Sequence, residues 1–199
     1  TNYLKALNMG VLSIDMGYAA VYDQRQTSIY YLSKIQKLSD ELDVSENFNS
    51  AIAKRFNNNI AKQDSLYHII LEAFNNTHKN LIKNERKDVG MLISAGCFIE
   101  GLYLASSLAQ TQYDPRLLSL IAQQQLYLDN LIELMGEGKN KTEIEKLLFK
   151  FKDLKLAYTG VKSDYDPVKS KQENRVSLTD EQLVLIANTS ASIRNEIVD

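Results

Sequence analysis

The sequence predicts an all-α protein: a single-domain bundle of seven to eight mostly antiparallel helices around a central apolar helix. Three observations predict it. Only two prolines, Pro115 and Pro167, occur in 199 residues, as expected of a mostly helical chain, because proline is excluded from helix interiors. Apolar residues recur at spacings of three and four along nearly the whole chain, and no stretch alternates as a strand would. One segment, about residues 88–110, is apolar on every side, which marks a helix that others surround.

The chain is long enough for one domain with a substantial core. We expect that domain to cover residues 1–199, with residues 160–177 as a loop or strap within it. A net charge of −2 gives no global pull toward nucleic acid or anionic lipid. The lone cysteine, Cys97, allows no intrachain disulfide and no cysteine-based zinc site. The sequence begins at Thr1, so any export signal is expected upstream of it.

The central segment carries one charge in its interior, Glu100. Val89, Leu92, Ile93, Gly96, Ile99, Glu100, Tyr103, Leu104, Ser107 and Leu108 follow helical spacing on one face, and Phe98, Leu102 and Ala109 make the other side apolar too. A membrane span of about 20 apolar residues would resemble it. A carboxylate near mid-bilayer is costly, so a core helix is expected and no transmembrane helix. Gly90, Gly96 and Gly101 weaken a helix; the expected reason is close approach of a neighbouring backbone, and the alternative is room for a ligand beside Glu100.

The first helix spans about Asn2 to Tyr22, with a narrow apolar seam at Leu4, Leu7, Val11, Ile14, Tyr18 and Val21. The second spans about Thr27 to Leu42, with Ile29, Leu32, Ile35, Leu38 and Leu42 inward. Ser45 is expected to cap a third helix facing Phe48, Ile52 and Phe56 inward. A fourth, about Ser65 to Lys83, carries Leu66, Ile70, Ala73, Thr77 and Leu81; a break after the third near Asn57–Asn59 is expected, one continuous rod being the alternative. After the central helix, Asp114-Pro115 places an N-cap before a proline at the first helical position. That helix runs to Met135 and buries Leu117, Ile121, Gln124, Leu128, Leu131 and Met135. Thr142 and Glu145 form a capping-box pattern ahead of a helix burying Ile144, Leu147, Leu148, Phe151, Leu154 and Tyr158. Thr179 and Gln182 form another, ahead of a final helix burying Leu183, Ile186, Ala187, Ser190, Ile193 and Ile197. A 34-residue helical repeat does not recur.

Glu100 is the foremost candidate for chemistry, because a buried carboxylate must be paired, hydrogen-bonded or protonated. Asp15, Tyr18 and Tyr103 are its candidate neighbours in a ligand-binding pocket. Asp64, His68 and Glu72 share the polar side of the fourth helix, where a solvated strip is the expected reading and metal binding is not. Cys97 has no activating base nearby in sequence and reads as an inert thiol. No phosphate loop, dinucleotide fingerprint, nucleophile elbow or zincin motif is present. No metal, cofactor or catalytic constellation is expected.

Two stretches carry a resemblance. One is Ile14-Asp15-Met16-Gly17-Tyr18-Ala19-Ala20-Val21-Tyr22, leading into Lys37-Leu38-Ser39-Asp40-Glu41-Leu42. The other is Ala95-Gly96-Cys97-Phe98-Ile99-Glu100-Gly101-Leu102-Tyr103-Leu104-Ala105. Together they resemble a group of all-helical bacterial cell-envelope lipoproteins of unknown function. The resemblance implies a periplasmic or envelope location, an export signal, and a membrane tether through a lipid anchor upstream of residue 1. It implies no activity. The expected function is a non-enzymatic exported binding or scaffolding module with a protein or small-molecule partner. The alternative is a small-molecule binder or enzyme with an internal pocket around Glu100.

Overall fold

The computed structural model describes residues 1–44, 50–59, 62, 65–66, 68–69, 72–73, 76, 86–137, 142–162 and 178–198. Seven helices run through them: α1 (Asn2–Val21), α2 (Arg25–Glu41), α3 (Ser50–Asn58), α4 (Lys87–Thr111), α5 (Pro115–Glu137), α6 (Thr142–Ala157) and α7 (Asp180–Val198). No strand occurs among the described residues. The chain divides into two compact units, Thr1–Cys97 and Phe98–Asp199.

In the first unit α1 and α2 pack along each other. The link is short because α1 ends in a Schellman motif. The Gln24 amide donates to the Ala19 carbonyl (2.8 Å) and the Asp23 amide to Ala20 (3.3 Å). The same bonds end α2, from Val44 to Ser39 (2.8 Å) and from Asp43 to Asp40 (3.1 Å). The left-handed position is held in each case by an aspartate, Asp23 and Asp43, at φ 54°. Glycine is the usual occupant because a Cβ is strained there. Asp43→Gly is therefore expected to stabilise the chain by up to about 1 kcal/mol; an unchanged or lower midpoint in urea would contradict it.

The buried face of α1 keeps the middle of the expected seam, Leu7 and Val11 with Ile14 half-buried, but not its ends. Leu4, Tyr18 and Val21 are exposed, while Ala6, Leu7, Met9, Gly10, Val11, Ser13, Met16, Ala19 and Ala20 are buried. Small side chains let a neighbouring helix approach closely, and that decides which face turns inward. On α2, Leu32, Ile35 and Leu42 are buried as expected, but Ile29 is exposed. Buried serines return their hydroxyl protons to their own helix: Ser13 to the Met9 carbonyl (2.6 Å) and Ser39 to Gln36 (2.8 Å). That satisfies the hydroxyls without a partner from another element.

Phe56 on α3 is buried, and so are Leu66, Ile69 and Ala73. Ser65, Leu66, His68, Ile69, Glu72, Ala73 and Asn76 are helical. The expected Ser45 cap, Phe48, Ile70, Phe74, Thr77 and Leu81 lie outside the described residues. The expected break after the third helix is present: α3 ends at Asn58, Asn59 lies in a turn, and Lys62 is not helical. Arg55 holds Glu72 with both nitrogens of its fork (2.9 and 2.8 Å).

Helix α4 is the expected central helix, one residue longer at each end. By length and composition it could cross a membrane, and half of its most apolar stretch is buried inside the protein. Val89, Leu92, Ile93, Ile99 and Leu102 are buried, whereas Leu108 is exposed. In the first unit Gly96 meets α1 at Gly10. A Cβ built on Gly96 would lie 2.0 Å from the Leu7 carbonyl oxygen, and one on Gly10 would lie 2.1 Å from that of Ile93. This bears out the close-approach reading for Gly96. It fails for Gly101, whose added Cβ would meet nothing within 4 Å.

In the second unit α5 packs on α6 and α6 on α7. Asp114 caps α5 as expected, its carboxylate accepting from the Arg116 amide (2.8 Å). The second capping box closes reciprocally: the Gln182 amide donates to the Thr179 hydroxyl (3.2 Å), and the Thr179 amide to the Gln182 carboxamide oxygen (3.0 Å). Gln182 also donates to the Thr159 carbonyl (2.9 Å), which ties the start of α7 to the end of α6. Residues 163–177 of the expected strap lie outside the described residues.

All six positions expected inward on α7 are buried. On α6, Ile144, Leu147, Phe151 and Leu154 are buried, followed by Tyr158. The Tyr158 hydroxyl donates to the Ile121 carbonyl on α5 (3.1 Å), and burial raises its pKa above the ordinary tyrosine value. Tyr158→Phe is expected to cost about 1 kcal/mol, the worth of one buried hydrogen bond, in a chemical denaturation series; no loss would show that the bond is not needed.

Candidate functional site

The candidate site is built on one face of α4 in the second unit. Glu100 and Tyr103, three residues apart, project side by side there. The Glu100 residue is 1% exposed. From α7, the Arg194 Nε donates to Glu100 Oε2 at 2.6 Å, and the guanidinium carbon lies 4.9 Å from the Tyr103 ring centroid. Arg194 is itself mostly covered, its side chain 23% exposed. The countercharge that a buried carboxylate needs is thus supplied by the protein. The guanidinium also lies within cation–π range of the Tyr103 ring.

Chemically this is a clamp: a planar donor fork set between an acid and an aromatic face. Arg194 follows Ile193 at the edge of the buried stripe of α7, and it occupies the same helical row as Ser190 and Val198. Helical spacing alone does not single it out. The available signal was an arginine abutting an apolar stripe on a helix without other basic residues.

The other two candidate residues lie on α1, in the first unit. Asp15 is half-buried. Tyr18 is 47% exposed, and its ring meets Tyr22 with centroids 4.6 Å apart. Val21, Tyr22, Ile29 and Tyr30 are exposed as well, so the α1–α2 link is flanked by apolar and aromatic side chains. On the proposed polar strip, His68 is exposed and Glu72 is engaged by Arg55; Asp64 lies outside the described residues.

Cys97 is partly accessible as a residue, yet its thiol points at the Gly10 carbonyl (Sγ to O, 3.4 Å). Burial pushes the thiol pKa up to about 12. Since the thiolate is the reactive form, alkylation of Cys97 at pH ~8 is expected to run at least about a hundredfold slower in the folded protein than in denaturant. Equal rates in both would refute that.

No protein family, curated protein or solved structure matches the chain.

Proposed function

We propose that the chain is a non-enzymatic helical binding or scaffolding module acting at the cell envelope. The observation that carries this reading is the engagement of Glu100: its deep carboxylate is held by Arg194 at 2.6 Å and serves to join α4 to α7. In this reading the pair is architecture, holding α4 and α7 together rather than serving a ligand. The binding surface then lies outside, and the exposed group of Tyr18, Val21, Tyr22, Ile29 and Tyr30 has the composition of a contact patch, because tyrosine is enriched in protein interfaces. The envelope location rests on the resemblance of the two sequence stretches to envelope lipoproteins.

The test separates surface from interior. Cross-linking in cells of the source organism, followed by fractionation, is expected to place the protein in the envelope fraction with a protein partner. That partner should be lost in Tyr18→Ser/Tyr22→Ser/Tyr30→Ser and kept in Glu100→Leu. Recovery from the cytosol would overturn the location. A substrate turnover, or a co-purifying metabolite, that is abolished by Glu100→Gln would overturn the non-enzymatic reading in favour of a pocket at Glu100.

A further inference from the structure

A second surface feature lies in the first unit, along the groove where α1 and α2 run side by side. Leu4, Leu12 and Leu38 line it, and Lys5, Lys34, Lys37 and Glu41 stand around them. The cleft is open and has a volume of about 380 Å³, at the lower end of the range for small-molecule sites, roughly 300–1,000 Å³. Its α2 wall spans Lys34 to Glu41 and its α1 wall Leu4 to Leu12, which at the helical rise makes a trough roughly 12 Å long.

Its charge is one-sided. Three ammonium groups face one carboxylate, in a chain whose net charge is −2. Lys5 binds Glu41 at 2.8 Å, and Lys37 stands 3.9 Å from the same carboxylate. The hydrogen bond from Lys5 holds the Glu41 carboxyl below the ordinary glutamate range; this one carboxylate is shared between Lys5 and, at longer range, Lys37, so the rim keeps a surplus of positive charge. Lys34 lies over the Tyr30 ring at 5.2 Å, a contact that brings no carboxylate to its ammonium group. The leucines offer an apolar wall beside this positive rim: Leu4 is exposed, and Leu12 and Leu38 are half-buried.

We propose that the α1–α2 groove binds a soluble single-chain amphiphile with an anionic head, a phosphate or carboxylate, its alkyl chain along Leu4, Leu12 and Leu38 and its head between Lys34 and Lys37. An alkyl chain alone would leave the rim unused, and a free anion would leave the leucines in water. The combination recognises one ligand class. This site abuts the tyrosine patch through the Lys34–Tyr30 contact, but it needs no protein partner.

Calorimetry with the full chain tests it, using octyl phosphate below its micelle-forming concentration. The expected result is saturable one-to-one binding. Lys34→Gln/Lys37→Gln should weaken it at least about tenfold, and Leu12→Ser should weaken it similarly. Circular dichroism is used to check that each variant remains helical. Inorganic phosphate should bind at least about tenfold more weakly than octyl phosphate, and octyl glucoside should not bind. Any of four results would overturn the proposal: no saturable binding, octyl phosphate affinity indifferent to the lysine substitutions, inorganic phosphate binding as tightly as octyl phosphate, or association with anionic vesicles without binding of the monomeric amphiphile.

Discussion

Gly96→Ala is expected to destabilise the protein by about 3 kcal/mol or more, the upper end of overpacking costs. Alanine improves helix propensity by up to about 1 kcal/mol over glycine, so the sign depends on space. Here the space is absent. The new Cβ would lie 2.0 Å from the Leu7 carbonyl oxygen and 2.9 Å from its carbon. Those are backbone atoms of a packed helix, which cannot rotate aside as a side-chain tip can. Gly10→Ala meets the same barrier, with Ile93 oxygen at 2.1 Å and the Cys97 nitrogen at 2.7 Å. Helices α1 and α4 therefore cross backbone to backbone, and either methyl group pushes them apart.

The same substitution at Gly17 or Gly136 meets nothing within 4 Å. There the propensity term acts alone, and a gain of about 0.5–1 kcal/mol is expected. Urea denaturation of the four single variants checks the contrast. Equal changes at all four positions would mean that the crossing at Gly10 and Gly96 is looser than described.

The glycine pair also shows where the sequence was legible and where it was not. A glycine inside a strongly apolar helix asks for compensation of its propensity cost; close approach supplies it at Gly96 but not at Gly101. The identity of the approaching helix has no local signature, so nothing near Gly96 in the sequence points to Gly10 and α1. Periodicity placed α7 fully, since its stripe buries where spacing says it should. Periodicity placed α1 only in part: Leu7 and Val11 bury as the spacing says, but Leu4, Tyr18 and Val21 look like the same seam, while small residues, Gly10 and Ser13 among them, complete the face that packs. The capping residues Asp114 and Thr179 were readable because a cap is a contact between near neighbours in sequence. The aspartates at the ends of α1 and α2 were not, since the left-handed position usually announces itself by glycine. Of the candidate site, the acid was legible as an anomaly in an apolar helix. Its partner is 94 residues away, and no spacing rule reaches that far.

That separation sets up the second large effect. Arg194→Met is expected to cost about 3–5 kcal/mol, because it leaves the Glu100 carboxylate buried without its guanidinium. Glu100→Leu is expected to cost much less, about 1 kcal/mol or below, and the double variant Glu100→Leu/Arg194→Met should recover most of the Arg194→Met loss. The asymmetry follows from burial: Glu100 is 1% exposed, whereas the Arg194 side chain is 23% exposed and lies against Tyr103. An arginine deprived of its acid can still reach water and keep its aromatic contact. A carboxylate deprived of its arginine stays where water does not reach. Thermal melts of the three variants order these states. If Glu100→Leu proved the more damaging single substitution, the carboxylate would be contributing more than its pairing with Arg194, and the interior of the second unit would become the place to look for a ligand.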